Sequence, residues 1–200
     1  MVDKPNLREC LRRETKSDHQ ALDARMGRYD LFGDPSQYAA YLRGMRRLHL
    51  HCRESVRRVS AELNLPPSTD RILRAIEDDL ASIHAPLADR GPDSAPPDAA
   101  NSSARCEAID AADWGRAYVI EGSAMGGSFM VRSAKDQLPP GSGTQFLQQL
   151  SHDAKNRWPV VAQGLADFRG DIDSAVQAAK ETFQYAQECF AVEMPDVMTE

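Results

Sequence analysis

Tyr118-Val119-Ile120-Glu121-Gly122-Ser123-Ala124-Met125-Gly126-Gly127-Ser128-Phe129 places three glycines within six residues of a stretch that otherwise reads as a buried helix. Each glycine costs a helix interior about 1 kcal/mol relative to alanine, so tolerance of three points to a compensating close approach. On a helix Tyr118, Gly122, Met125, Gly126 and Phe129 share one face, with Ser123 and Gly127 beside it. The glycines open a bare strip of backbone between larger apolar groups. A second helix packed on the strip, a kink, or a flat ligand would each account for it.

The sequence on either side is helical by its periodicity. Leu7, Leu11, Thr15, His19, Leu22 and Met26 recur at three- and four-residue steps and mark one face of a first helix ending near Gly27. A second helix is capped at Asp34-Pro35 and runs through Tyr38, Leu42, Met45, Leu48 and Cys52 to about Leu63. A third begins at Ser68-Thr69-Asp70 and carries Ile72, Leu73, Ile76, Leu80 and Ile83. Residues 85–105 are rich in Pro, Ala, Ser and Asp, which predicts a long mobile loop within one domain spanning residues 1–200. The glycine-bearing helix follows over 109–134. Beyond Pro139-Pro140-Gly141 the pattern predicts a helix to about Asn156, a break at Trp158-Pro159, a continuation to Arg169 and a last helix over 173–190. No alternation of strand type and no tandem repeat competes, so the expected fold class is all-α, a single-domain multi-helix bundle.

Composition narrows the partners. The 200 residues are 42% hydrophobic, enough for a sizeable core, and no apolar run approaches the ~20 residues that span a bilayer, so a soluble protein without a membrane partner is expected. The N-terminus, Met1-Val2-Asp3-Lys4-Pro5-Asn6, is too polar for a secretory signal, and Cys10, Cys52, Cys106 and Cys189 form no CxxC pair, which predicts free thiols in a cytoplasmic setting. A net charge of −6 argues against nucleic acid. Residues 1–60 nevertheless hold 13 Lys and Arg against 8 Asp and Glu, a basic half suited to an anionic ligand or an acidic protein, or simply a set of solvated helix faces.

His19 falls on the apolar stripe of the first helix, where a hydrogen-bonded core histidine and a ligand to iron are the two readings. Asp23 stands one turn onward, placed to accept the ring N–H and fix the tautomer, and Thr15 stands one turn before. A single neutral imidazole suits an axial ligand to haem iron, whereas a bare metal ion would call for three or four protein ligands. The opposite wall would have to be nearly free of side chains, and Gly122 and Gly126 offer one.

At these residues the chain resembles the haem oxygenases, in particular their bacterial biliverdin-producing branch. Leu11-Arg12-Arg13-Glu14-Thr15-Lys16-Ser17-Asp18-His19-Gln20-Ala21-Leu22-Asp23 is similar to the family's proximal helix, with Thr, then His four residues on, then an acid one turn later. The stretch 118–127 is similar to the bacterial distal pattern, a Gly-Ser pair followed by a Gly-Gly pair, and the segment from Phe146 through Trp158 to Phe183 and Phe190 resembles the family less specifically. The resemblance covers nearly the whole chain apart from 85–105.

The resemblance implies haem sandwiched between the first helix and a kinked, glycine-bearing distal helix. His19 would be the proximal iron ligand, with Thr15 and Asp23 around it, and Gly122, Gly126 and Gly127 would form the wall over the ring. Arg12 and, more loosely, Lys155 with Arg157 beside it would contact the propionates and set which meso carbon is cleaved, α-cleavage being the commoner outcome in the family. Some members carry an aspartate after the first distal glycine; here Ser123 holds that place, so proton delivery would run through Ser123, backbone and water. Tyr118 and Met125 would touch the ring. The implied activity is that of an oxidoreductase in which haem is both substrate and cofactor, opened with O2 to biliverdin, carbon monoxide and ferrous iron. No nucleotide-binding fingerprint and no iron–sulfur cysteine cluster is present, so electrons would come from a separate protein, such as a ferredoxin or a flavin reductase. A haem-binding carrier or sensor that kept the pocket and lost turnover would need the same residues.

Three other patterns are weaker. In His49-Leu50-His51-Cys52, His49 and Cys52 share a helical face while His51 points elsewhere, so at most two ligands converge. A di-iron bundle would show Glu-x-x-His, and none of the five histidines has an acid three residues before it. Cys189 has no neighbour in sequence that would lower its pKa as a nucleophile requires.

Overall fold

A computed structural model describes residues 6–83, 108–138 and 143–195, and nine helices account for most of them. They are α1 (Leu7–Glu14), α2 (Lys16–Met26), α3 (Pro35–His51), α4 (Arg53–Glu62), α5 (Thr69–Ser82), α6 (Ala111–Gln137), α7 (Gln145–Asn156), α8 (Trp158–Asp167) and α9 (Ile172–Glu193). No strand occurs among the described residues, so the all-α bundle expected from the sequence stands. The expected loop at 85–105 lies outside the described residues.

Side-chain caps account for four of the nine helix starts among the described residues. Asn6 accepts from the Glu9 amide, Asp34 from the Ser36 amide with Pro35 in the first turn, and Asp171 from the Asp173 and Ser174 amides. Asp110 and Asp113 form a reciprocal capping box at the head of α6. At the start of α7, Thr144 gives the helix no side-chain cap. Its cap comes from another helix: the Gln145 and Phe146 amides each donate at 2.9 Å to the carboxylate of Asp79 on α5. Burial raises the pKa of Asp79, and those two amide bonds pull it back down.

Two helices expected as single pieces are each divided. The first breaks at Thr15, whose buried hydroxyl donates to the Leu11 carbonyl at 2.8 Å, a back-bond that bends helices. The second breaks at Cys52. At 157–159 the expected break is found, since Pro159 has no amide to continue the ladder of α7.

The long helix α6 is the axis of the molecule, packed by α4, α7, α8 and α9. One core cluster lies among α3, α5, α7 and the end of α9, with Tyr38, Leu42, Ile76, Phe146 and Phe190 fully buried; a second joins α1, α8 and the first halves of α6 and α9 through Leu7, Leu11, Trp114 and Leu165. Helix α2 is the outlier, since none of its residues is buried. Leu22 and Met26 lean on the core, and Arg25 and Tyr29 tie its far end to α9 by donating to the Met194 carbonyl at 2.8 and 2.6 Å.

Candidate functional site

Between α1–α2 on one side and α6–α8 on the other runs a cleft of about 360 Å³, within the range of small-molecule sites. Thr15, Lys16, His19 and Gln20 line one wall and Tyr118 and Trp158 the other, with Arg8 and Arg12 at the rim. Four residues named from the sequence therefore meet in one place: Arg12, Thr15, His19 and Tyr118.

His19 is not a core histidine. The bend at Thr15 leaves Leu7, Leu11 and Thr15 buried while the His19 side chain, one turn further, stays 63% exposed at the cleft wall. Its ring edge rests on Phe183, with centroids 5.9 Å apart. Nδ1 lies 2.8 Å from Asp23 Oδ2, so an Nδ1–H donated to the carboxylate leaves the Nε2 lone pair unused. Thr15 plays a different part from the one expected beside the imidazole. Its hydroxyl proton is committed to Leu11, and it shapes the bend that presents His19.

The glycines of α6 divide into two kinds. Gly115 and Gly127 are packing glycines: a Cβ on the first would overlap the Ala175 carbonyl of α9, and one on the second would come within 2.5 Å of the Leu150 Cβ of α7. Gly127 therefore does not face the cleft, contrary to the expectation from the resemblance. Gly122 lies under the Trp158 indole, whose nearest carbons would stand 3.6 and 3.7 Å from an added Cβ, and Gly126 has nothing within 4 Å. The strip is bare at Gly126 and covered at Gly122. Met125 and Phe129, 42% and 79% exposed, flank the bare part with apolar surface. Helix α6 runs uninterrupted through all of these positions, so no helix break accompanies the glycines, and Gly115, Gly122 and Gly127 serve close approach. Ser123 donates to the Ile120 carbonyl at 2.7 Å, which commits its hydroxyl proton to its own helix.

Charge along the cleft is basic. Arg8, Arg12 and Lys16 stand at four-residue steps on one ridge, and among the described residues none of them is paired with a carboxylate. The four-residue spacing back from Gln20 was the sequence signal for Arg8 and Lys16. Lys155 is exposed on α7 and is not among the residues lining this cleft. Arg157 is buried and spent: its guanidinium binds Glu121 at 2.6 and 3.2 Å, Ser60 Oγ at 2.9 Å, and the Pro66 carbonyl. Trp158 is a functional candidate that sequence reasoning missed, having been read as a helix break and as part of the loosely similar C-terminal segment.

The His49-Leu50-His51-Cys52 residues diverge. His49 is buried with neither ring nitrogen hydrogen-bonded, and burial holds its pKa down at about 4, with Asp153 pulling partly the other way. His51 is exposed and stacks on Tyr185 at 4.0 Å, while burial pushes the Cys52 thiol up to about 12. Burial raises the Cys189 thiol too, which leaves it a poor nucleophile. No group of three or more His, Cys, Asp and Glu among the described residues is placed to hold a metal ion, and no helix among them is long and apolar enough to cross a membrane.

No protein-family model matches this chain, and no match was found among curated proteins or solved structures.

Proposed function

We propose that this chain is a haem oxygenase, which opens haem with O2 and externally supplied electrons to biliverdin, carbon monoxide and ferrous iron. The observation that carries the reading is His19 Nδ1 at 2.8 Å from Asp23, with Nε2 left free at the wall of a cleft whose other wall is Trp158 together with Tyr118 of the glycine-bearing helix.

The donor set fits the group. One imidazole with a carboxylate behind it would hold a haem iron and is too little for a bare ion. Arg8, Arg12 and Lys16 form a cationic rim for two propionates. Beyond the residues that line the cleft, the α6 strip is open at Gly126 and flanked by the exposed Met125 and Phe129, which offers a flat apolar seat. When bound, haem would supply both the iron that takes up dioxygen and the ring that is opened. The chain's own residues hold and orient. Asp23 holds the His19 tautomer and ring orientation, the basic residues of the cleft would set the in-plane rotation of the ring, and the side-chain-free backbone at Gly126 would leave room for a small gas. Electrons would come from a separate donor such as a ferredoxin or a flavin reductase, for which the basic N-terminal half is the complementary surface.

A second reading, a haem carrier or sensor, is favoured by Ser123, whose committed hydroxyl leaves no free side-chain proton donor at that turn. One spectrum separates the two. Hemin is added to the purified chain and to His19→Ala, then a reductant in air. The enzyme reading expects a one-to-one Soret band in the parent that gives way to biliverdin absorption, and loss of the six-coordinate spectrum in the variant. A Soret band that persists supports the carrier, and a variant indistinguishable from the parent overturns both.

A further inference from the structure

We propose that Trp158 is the selectivity wall of the cleft and that the buried Arg157–Glu121 pair is the device that positions it; the proposal rests on the haem reading of the cleft. Trp158 opens α8 immediately after the break, and its indole lies over Gly122, with the Tyr118 ring 6.1 Å away. One turn along the same face, at Gly126, nothing stands within 4 Å. The strip is thus open at one end and closed at the other by a flat, rigid ring. A planar guest entering over Gly126 can advance only until its edge meets the indole. Trp158 therefore limits how far the guest's substituents reach toward Tyr118, and so sets both the size and the seating that the cleft accepts.

The placement of that ring is over-determined. Arg157 precedes Trp158 in the chain and Glu121 precedes Gly122, so one buried pair joins the indole that lines the cleft to the glycine beneath it. The pair is 3% and 5% exposed, bidentate, and completed by Ser60 and the Pro66 carbonyl on the guanidinium and by Ser68 at 3.4 Å on the carboxylate. Burying two charges adds little net stability over an apolar replacement of the same volume, and the best-attested return on such a pair is register. Here the register is that of α6 against the start of α8, which is the register of Gly122 under the indole.

The experiment compares hemin with a wider anionic iron porphyrin bearing four meso aryl groups, by titration of the parent, Trp158→Ala, Trp158→Phe and the double variant Glu121→Met/Arg157→Met. The parent should prefer hemin. Trp158→Ala should lower the preference, read as the ratio of the two Kd values, at least tenfold, and Trp158→Phe should restore most of it. The double variant keeps the indole and a packed interior, so it should retain its helix content by circular dichroism while its preference falls toward that of Trp158→Ala. Should Trp158→Ala lose helix, Trp158→Leu, which keeps apolar bulk without the flat ring, is read in its place. A preference unchanged by loss of the indole overturns the selectivity wall, and one unchanged in the double variant overturns the positioning device. A parent that binds no hemin overturns this proposal together with the haem reading. A parent whose hemin spectrum depends on His19 but whose preference ignores Trp158 overturns this proposal alone.

Discussion

Gly126 and Gly127 are adjacent in sequence, and alanine should stabilise the fold at the first and not at the second. Both sit inside α6, so each substitution relieves the helix of a glycine and gains about 1 kcal/mol in backbone propensity. At Gly126 that is the whole effect, because an added Cβ meets nothing within 4 Å. At Gly127 the methyl would come within 2.5 Å of Leu150 Cβ and 2.6 Å of its Cδ1. Leu150 is buried, and the nearest of its atoms is the one fixed to the backbone, so changing rotamer does not clear the contact and α7 has to move. Overpacking of that kind costs about 1–3 kcal/mol, which cancels the propensity gain or outweighs it by up to about 2 kcal/mol. Thermal unfolding should therefore rise by roughly 2–4 °C for Gly126→Ala and fall or stay level for Gly127→Ala. The same Gly126→Ala variant should weaken hemin binding, since its methyl intrudes on the proposed seat. The reasoning is refuted if Gly126→Ala melts below the parent, or if Gly127→Ala is stabilised as much as its neighbour.

Three further outcomes are expected. His49 takes up a proton near 6.5 when unfolded and only near 4 in the fold, so its folded pKa is depressed: its contribution is whole above pH 6.5 and is lost as pH falls toward 4, by about 3 kcal/mol, a slope that denaturant titrations across pH should find flattened in His49→Leu. Removing the cap that α5 lends to α7, by Asp79→Ala, leaves the buried Phe146 amide without an acceptor and should cost about 2 kcal/mol in urea unfolding; a loss below 0.5 kcal/mol, taken as roughly the weakest cap effect, would refute the role. Neutralising Arg12 and Lys16 together to Gln should weaken hemin binding and mix the biliverdin isomers seen by chromatography, while Lys155→Gln should leave both unchanged, because only the first two residues line the cleft.

Local chemistry made the helices legible. Asp34 before Pro35, Asp171 before two amides, and the recurrence of apolar residues from Leu7 to Met26 are all decided within a turn or two of chain. Arg12 and His19 were both legible in the proximal pattern, but they stand on two helices divided at Thr15, and it is the packing of α1 and α2 that brings them to one cleft. The sequence also announced that something approaches the glycines of α6 closely. What approaches them was decided by contacts between distant segments: Leu150 fills the space at Gly127, Ala175 that at Gly115 and Trp158 that at Gly122, leaving Gly126 alone open. Likewise the stripe that seemed to bury His19 turns outward at Thr15, Lys155 lies on a helix that does not line the cleft, and Arg157 is drawn inside by Glu121, 36 positions earlier. Periodicity reports which residues share a face of one helix. Which face then meets another helix, an indole or open space depends on how the helices pack, and that is set by burial summed over the whole bundle, which no single stretch of sequence contains.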